Sequence, residues 1–313
     1  MINADAGLAM TVGDIDDTVY KPVGFWRKLS RHKLAVVGLV VLVLVILSAV
    51  FAKFLAPFDP TAIDNKWWNG DPVPPCFINA AICGHHLLGT DEVGRDLLSR
   101  LLFGAQISLQ VAVFAVIIEI SIGTLLGAIA GFYGGWVDWL LMRITDVFLS
   151  IPLLPLLLVL TGIVAASSNK ASLSFGVIVL IIGALSWPSV ARLVRASFLS
   201  LREREFAEAA RAVGNRDGRI IFRHLLPNAI APIVVQATLD VANFIILEST
   251  LSFLGFGIQP PTASWGNMLA NAEATLTSGW WVAVFPGLCI LVTVLAINFI
   301  GDGLRDALDP NMR

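Results

Sequence analysis

Four carboxylates, Glu119, Asp146, Asp240 and Glu248, stand in or beside long apolar stretches of this sequence. An ionisable group is costly in such surroundings, so it points by default to a path for a polar solute. Asp146 and Glu248 lie near the ends of their stretches, where water could solvate them, whereas Glu119 and Asp240 lie deeper. Asp240 shares its stretch with Gln236, Thr238 and Asn243, a polar content that suits the wall of a water-filled cavity. An acidic lining of this kind would receive a cation or the amino terminus of a peptide equally well. The histidines, His32, His85, His86 and His224, all fall outside the apolar stretches, so no catalytic constellation gathers at one membrane depth. Neither catalytic nor metal-ligating residues are expected.

Cys76 and Cys83 lie close in sequence to His85 and His86. A local disulfide is the expected reading if that segment faces an oxidising compartment. A metal site is the sharper alternative, although the spacing matches no recognised zinc pattern. Cys289 falls inside an apolar run and reads as inert core. No G-x-x-x-x-G-K-[ST] loop occurs, so the chain itself is not expected to bind ATP.

The elements that must position these groups are membrane spans. With 57% hydrophobic and 14% charged residues among 313, and a mean hydropathy of +0.80, the chain is too apolar for a soluble domain of its size. The net charge of −2 argues against nucleic acid as a partner. Runs long enough to cross about 30 Å of hydrocarbon occur at Leu34–Ala52, Ser108–Gly131, Trp139–Ala165, Leu173–Ala191, Ala229–Leu251 and Trp280–Ile300. The expected fold is all-α, a polytopic membrane protein of six transmembrane helices. The polar segment ahead of the first run does not resemble a cleavable signal, so that run is expected to remain as an anchor.

Lys21, Arg27, Lys28, Arg31 and Lys33 precede the first run, and Arg192, Arg195, Arg202, Arg204, Arg211, Arg216, Arg219 and Arg223 follow the fourth. The positive-inside rule makes both segments cytoplasmic, and a six-span count then puts both termini inside. Residues 1–33 read as a cytoplasmic segment and 34–313 as the membrane domain, with an outer loop at 55–107 and a cytoplasmic loop at 192–228. Pro152 and Pro155 predict a kink in the third span. Inverted repeats, a mark of many secondary transporters, are not evident.

Within the cytoplasmic loop, Ser200 with Glu203 predicts a capping box, Leu201–Val213 a helix, and Gly214 its stop. Asn215 and Asp217 are candidate caps for a second helix through Ile220, Ile221, Leu225 and Leu226, closed by Pro227. Taken alone, this pattern describes a solvated connection between spans. Glu208, Ala209 and Ala210, then Gly214, then Leu226 and Pro227 nevertheless have the spacing of the Glu-Ala-Ala loop of ATP-binding-cassette importer permeases, which the sequence resembles here. The family motif carries an apolar residue two positions before its Leu-Pro, where this chain has His224. The resemblance implies a coupling helix seated in a groove of an ATPase subunit, with Glu205, Glu208, Ala209, Ala210, Gly214, Leu226 and Pro227 at or beneath the contact.

The outer segments narrow the resemblance. His86, Leu88-Gly89-Thr90-Asp91 and Gly94-Arg95-Asp96 are similar to the His-x-Leu-Gly-Thr-Asp-x-x-Gly-Arg-Asp signature of dipeptide, oligopeptide and nickel permeases. Leu251 to Pro261, Ser264-Trp265-Gly266 and the tail from Gly301 to Pro310 resemble the same subunit type, the one with the shorter first loop. Asp91, Arg95, Asp96 and Arg100 are at helical spacing and read as ion pairs along one helix face, with contact to a delivering binding protein as the alternative. Gln259-Pro260-Pro261 reads as a rigid outer turn.

The implied fold is that of a type I importer permease of a bacterial inner membrane, with Glu119, Gln236, Asp240 and Asn243 as candidates for the translocation pathway. The implied partners are a homologous second permease, two ATP-binding subunits and an extracytoplasmic substrate-binding protein, in contact with membrane lipid. No cofactor is expected in this chain, and ATP and Mg are expected in the partner subunits. Di- or oligopeptides are the expected cargo, with nickel, glutathione or another peptide-like solute as alternatives. A secondary transporter or a membrane enzyme remains the alternative class.

Overall fold

The computed structural model describes residues 29, 32–78, 85–167, 175–270 and 272–308. Cys83 and Asp309–Arg313 therefore lie outside the described residues. Among the described residues, helices account for all the regular structure except for two isolated bridges, Ile63 with Arg95 and Thr90 with Asp96.

Helix α1 (Lys33–Val50) begins where the His32 ring accepts the Ala35 N–H at 3.1 Å, and a short α2 (Ala52–Leu55) follows. Leu34, Val37, Val40, Leu44 and Val50 are exposed, whereas Ala35, Gly38 and Ala49 are buried. Large residues face outward and small ones face the neighbouring helix, as expected where lipid is the solvent. Helix α3 (Leu97–Tyr133) is twice as long as α1, because residues 97–107, ahead of the expected span, are helical as well.

The expected third span is two helices, α4 (Gly135–Ser150) and α5 (Leu153–Ser167), set at 83° to each other. This is a break and not the kink expected from the prolines. Pro152 offers no N–H and crowds the preceding residue out of the α region, so Ile151 is extended at φ −94° and ψ 124°. Among the described residues, five helices are long and apolar enough to span a membrane, and the bent pair supplies a sixth only if counted as one.

Helix α6 (Phe175–Leu201) packs along α3 more extensively than any other pair. Gly123, Gly127 and Gly131 recur every fourth residue on the shared face of α3. A Cβ at Gly123 would lie 2.6 Å from Val190 Cβ, and one at Gly131 would lie 2.6 Å from Phe198 Cβ. Only glycine admits this approach of backbones. The remaining helices are α7 (Glu205–Ala212), α8 (Asp217–Ile220), α9 (Leu226–Phe253), α10 (Trp265–Ala270), α11 (Ala272–Thr275) and α12 (Trp281–Leu308). Helix α12 packs on both α1 and α9.

The segment ahead of α3 is tied by buried ions. Asp96 caps α3, accepting the Ser99 N–H at 2.8 Å, and its other oxygen meets His86 Nδ1 at 2.9 Å. His86 Nε2 reaches Asp64 at 3.2 Å. Burial works against the Asp64 anion, but the Lys66 N–H and His86 together hold its carboxyl below the ordinary range. Asp91 pairs with Arg95 Nε at 2.7 Å and with Arg100 Nε at 3.2 Å. Of the four residues expected on one helix face, only Arg100 lies within the helix. Asp96 caps it, and Asp91 and Arg95 belong to the preceding turn, which reverses at Gly94 with φ +84°.

Two outcomes follow from this packing. Gly123→Leu should destabilise the chain by about 1–3 kcal/mol through overpacking, read as a lowered thermal midpoint in detergent. Gly287→Ala, with no neighbour within 4 Å of the added atom, should not lower it, since alanine is the better helix former. Asp91→Ala strands Arg100, which is 2% exposed, at a cost of about 3–5 kcal/mol. Adding Arg100→Met should recover most of the lost midpoint, and no recovery would show that the pair is not the source.

Candidate functional site

The loop expected at 192–228 starts later than its sequence signals indicate. Helix α6 runs on through Ser200 to Leu201, so Ser200 and Glu203 form no capping box, and Arg204 is the residue ahead of α7. The reason is tertiary. Arg202 Nη1 donates to Gly131 O at 3.2 Å and reaches Phe132 O at 3.4 Å, satisfying carbonyls at the end of α3 and holding the last turn of α6 against it. Glu205 and Glu208 fall in the first turn of α7, the favourable end of the helix dipole.

Gly214 ends α7 with φ +79°, a conformation that suits glycine. The Gly214 N–H donates to Arg211 O at 2.9 Å and the Asn215 N–H to Ala210 O at 3.2 Å. Asn215 Nδ2 also donates to Ala210 O at 3.1 Å, so this residue fastens the end of α7 and does not cap the next helix. Nor does Asp217, which lies inside α8 after Arg216.

The second helix is not closed by Pro227. Helix α8 passes through a π-helical turn, Ile221–Leu225, directly into α9. Proline at 227 has no N–H to give and its ring crowds the carbonyl four residues back. The helix accommodates it by widening one turn, and the Leu226 N–H donates to Ile221 O, five residues back. The loop and the fifth expected span are therefore one continuous element.

Ala207, Ala210, Ile220, Ile221 and Leu225 are buried with Phe132, Val194, Phe198 and Ala229, a core at the ends of α3, α6 and α9. The guanidinium of Arg211 lies 5.7 Å from the Phe132 ring centroid. Glu205, Glu208, Ala209 and Gly214 are exposed, as is Val213 at 83%. Glu208 and Ala209 thus face outward, while Ala210 faces the chain's own core. Leu226 is half-buried and Pro227 exposed.

A cavity of about 420 Å³ lies where α3, the α4–α5 break, α6 and α9 meet. Glu119, Asp240 and Asn243 line it, opposite Phe148, Ile151 and Pro152. Asp240 accepts from Gln236 Nε2 at 2.9 and 3.1 Å and from Asn243 Nδ2 at 3.2 Å. Gln236 faces a neighbouring cleft beside Arg305 and reaches the cavity only through Asp240. The elbow at Ile151-Pro152 was not among the residues picked out for this site, although the proline pair was its signal.

Asp146 is exposed and pairs with Arg192. Glu248 is not solvated at a span end, as its sequence position suggested. It is wholly buried, accepting from Ser108 Oγ at 3.0 Å and from Ser252 Oγ at 2.7 Å. The segment after α9 folds back over it, and the Trp265 N–H donates to Ser108 Oγ at 3.2 Å. Cys76 is disulfide-bonded, Cys289 is a free thiol, and Cys83, the partner expected from the sequence, lies outside the described residues.

The family described as "binding-protein-dependent transport system inner membrane component" is matched by residues 123–313. The "N-terminal TM domain of oligopeptide transport permease C" is matched by residues 23–75. The dipeptide transport system permease protein DppC of Alkalihalophilus pseudofirmus is 41% identical over 300 residues, covering 94% of this chain and 92% of that protein. The glutathione transport system permease protein GsiD of Escherichia coli O157:H7 is 43% identical over 291 residues, covering 92% and 90%. Among solved structures, the MetNI methionine ABC transporter, titled as inward facing, matches with a TM-score of 0.54 at 20% identity, covering 67% of this chain and 96% of that one. That likeness concerns the fold. The chain belongs to the binding-protein-dependent transport system inner membrane components, as a permease subunit of an ABC importer.

Proposed function

We propose that this permease imports di- or oligopeptides across a bacterial inner membrane, with both termini in the cytoplasm. It forms half of the translocation pathway beside a homologous second permease, and two ATP-binding subunits and an extracytoplasmic binding protein complete the complex. ATP and Mg belong to the partner subunits, and this chain performs no covalent chemistry. Peptide cargo is supported by the relatives named for dipeptide transport. Glutathione, itself a peptide, is the second reading, supported by relatives of equal similarity named for its transport.

The observation that carries the coupling role is the two-faced geometry of α7. One face is anchored to the ends of α3, α6 and α9, and the other presents Glu205, Glu208 and Ala209 outward. A partner bound to the outer face would move the anchored ends with it as one body. Helix α9 continues without a break from the loop to Asp240 and Asn243. Those two, with Glu119 and, through Asp240, Gln236, form this chain's polar wall of the pathway.

In vesicles holding the whole importer, Glu208→Ala removes a charge-assisted contact worth roughly 1.5–3 kcal/mol, so ATP-dependent uptake should fall about tenfold or more. Gly214→Val, which strains a left-handed position by about 1–2 kcal/mol, should also weaken co-purification of the ATPase. Normal uptake by both variants would remove the coupling role. Affinity capture of the tagged chain in mild detergent, followed by mass spectrometry, tests the complex itself. Recovery of this chain alone, still active in transport, would exclude the importer complex.

A further inference from the structure

The cavity at the elbow contains an unpartnered carboxyl oxygen. Glu119 and Asp240 are its only charged lining residues, and no Lys, Arg or His lines it. The two acids differ in their surroundings. Asp240, 6% exposed, has both oxygens occupied by Gln236 and Asn243. Glu119 is 1% exposed, and its Oε2 has no hydrogen-bond partner among the described residues. A buried carboxylate oxygen without a donor carries its full desolvation cost. In a transporter, a donor can come from the cargo.

The cavity fits one kind of donor better than others. At about 420 Å³ it is within the range of small-ligand sites, about 300–1,000 Å³. Among the described residues no group of three His, Cys, Asp or Glu side chains is placed to hold a metal ion. A primary ammonium is compact, brings three N–H donors, and is joined to carbon atoms that Phe148, Ile151 and Leu153 can cover. Ile151 and Ser189, both exposed, mark where the cavity opens.

We infer that the Glu119–Asp240 cavity is a binding subsite for a primary ammonium group, and that its occupant is the amino terminus of a peptide in transit. The identity of the occupant rests on the peptide-import reading above, whereas the preference for a cation does not. Glu119 provides the open acceptor. Asp240, held by Gln236 and Asn243, provides a fixed second charge, and the elbow supplies the apolar cover.

The test uses the assembled importer with Ser189→Cys as a reporter at the cavity mouth and Cys289→Ala to remove the other free thiol. Its rates of modification by aminoethyl and by sulfonatoethyl methanethiosulfonate are compared before and after Glu119→Gln and Asp240→Asn. The preference for the cationic reagent should fall at least tenfold when both acids are neutralised. Dialaninamide, which keeps an amino terminus and lacks a carboxylate, should slow the cationic reagent, and N-acetyl-dialaninamide should not. An unchanged preference, or equal protection by the acetylated peptide, overturns the ammonium site. Protection by ethylammonium as strong as that by dialaninamide overturns the peptide as its occupant. The protection experiments need neither acid variant, so they remain decisive if those variants fold poorly. Co-purification of the ATPase reports separately on the importer complex, so failure of the subsite and failure of the complex are distinguishable.

Discussion

The contact of α3 with α6 is the constraint on which the rest of this structure depends. In a bilayer, an apolar side chain gains little by leaving lipid for a neighbouring helix, so association relies on close packing of atoms. The Gly123, Gly127 and Gly131 stripe supplies it by bringing the α3 backbone against Val190, Ala191 and Phe198. One turn ahead of that stripe is Glu119, which is thereby set facing Ser186 and Pro188 of α6 across the cavity. Beyond its other end, Arg202 fastens onto the last carbonyls of α3. The acid in the cavity and the base of the loop that carries α7 are therefore positioned by the same helix pair.

The two ends of the membrane domain use polar groups differently. Around the N-terminal end of α3 the buried carboxylates are all engaged. Asp96 serves the helix start and His86, Asp91 holds Arg95 and Arg100, and Glu248 joins Ser108 of α3 to Ser252 of α9. Such paired charges fix one arrangement, because losing a partner would leave the other charge stranded. Near the elbow the rule is relaxed at Glu119. Glu119 differs from those carboxylates in keeping an oxygen without a partner among the described residues.

Much of this was legible in the sequence. The apolar runs mark α1, α3, α6, α9 and α12, and Gly214 announces its turn because few other residues accept that backbone conformation. What was misread shares one cause, which is that the deciding partner lies far along the chain. Ser200 and Glu203 have the spacing of a cap, but Arg202 meets α3 and carries α6 past them. Asp91, Arg95 and Arg100 have helical spacing, but a turn at Gly94 precedes the helix. Pro227 has the character of a stop, and the widened turn lets the helix continue. Glu248 lies at the end of an apolar run, yet the segment through Trp265 folds over it. The acids Glu119 and Asp240 were recognisable as deep from position alone. The elbow facing them was not, because a proline pair signals a bend without giving its angle.

The widened turn before α9 has a mechanical meaning. Because the widened turn joins loop and helix without a break, a tilt of the loop is carried along α9, through Pro232, toward Asp240. Leu226 to Asp240 spans roughly 20 Å at 1.5 Å per residue. A tilt of about 5° imposed at the loop would displace Asp240 by about 2 Å over that length. A shift of that size separates a hydrogen bond from no bond at all. In the proposed pathway the grip of this wall on a passing solute would thus be set by an angle at the loop, and grasp and release there would need no rearrangement of the wall's own side chains.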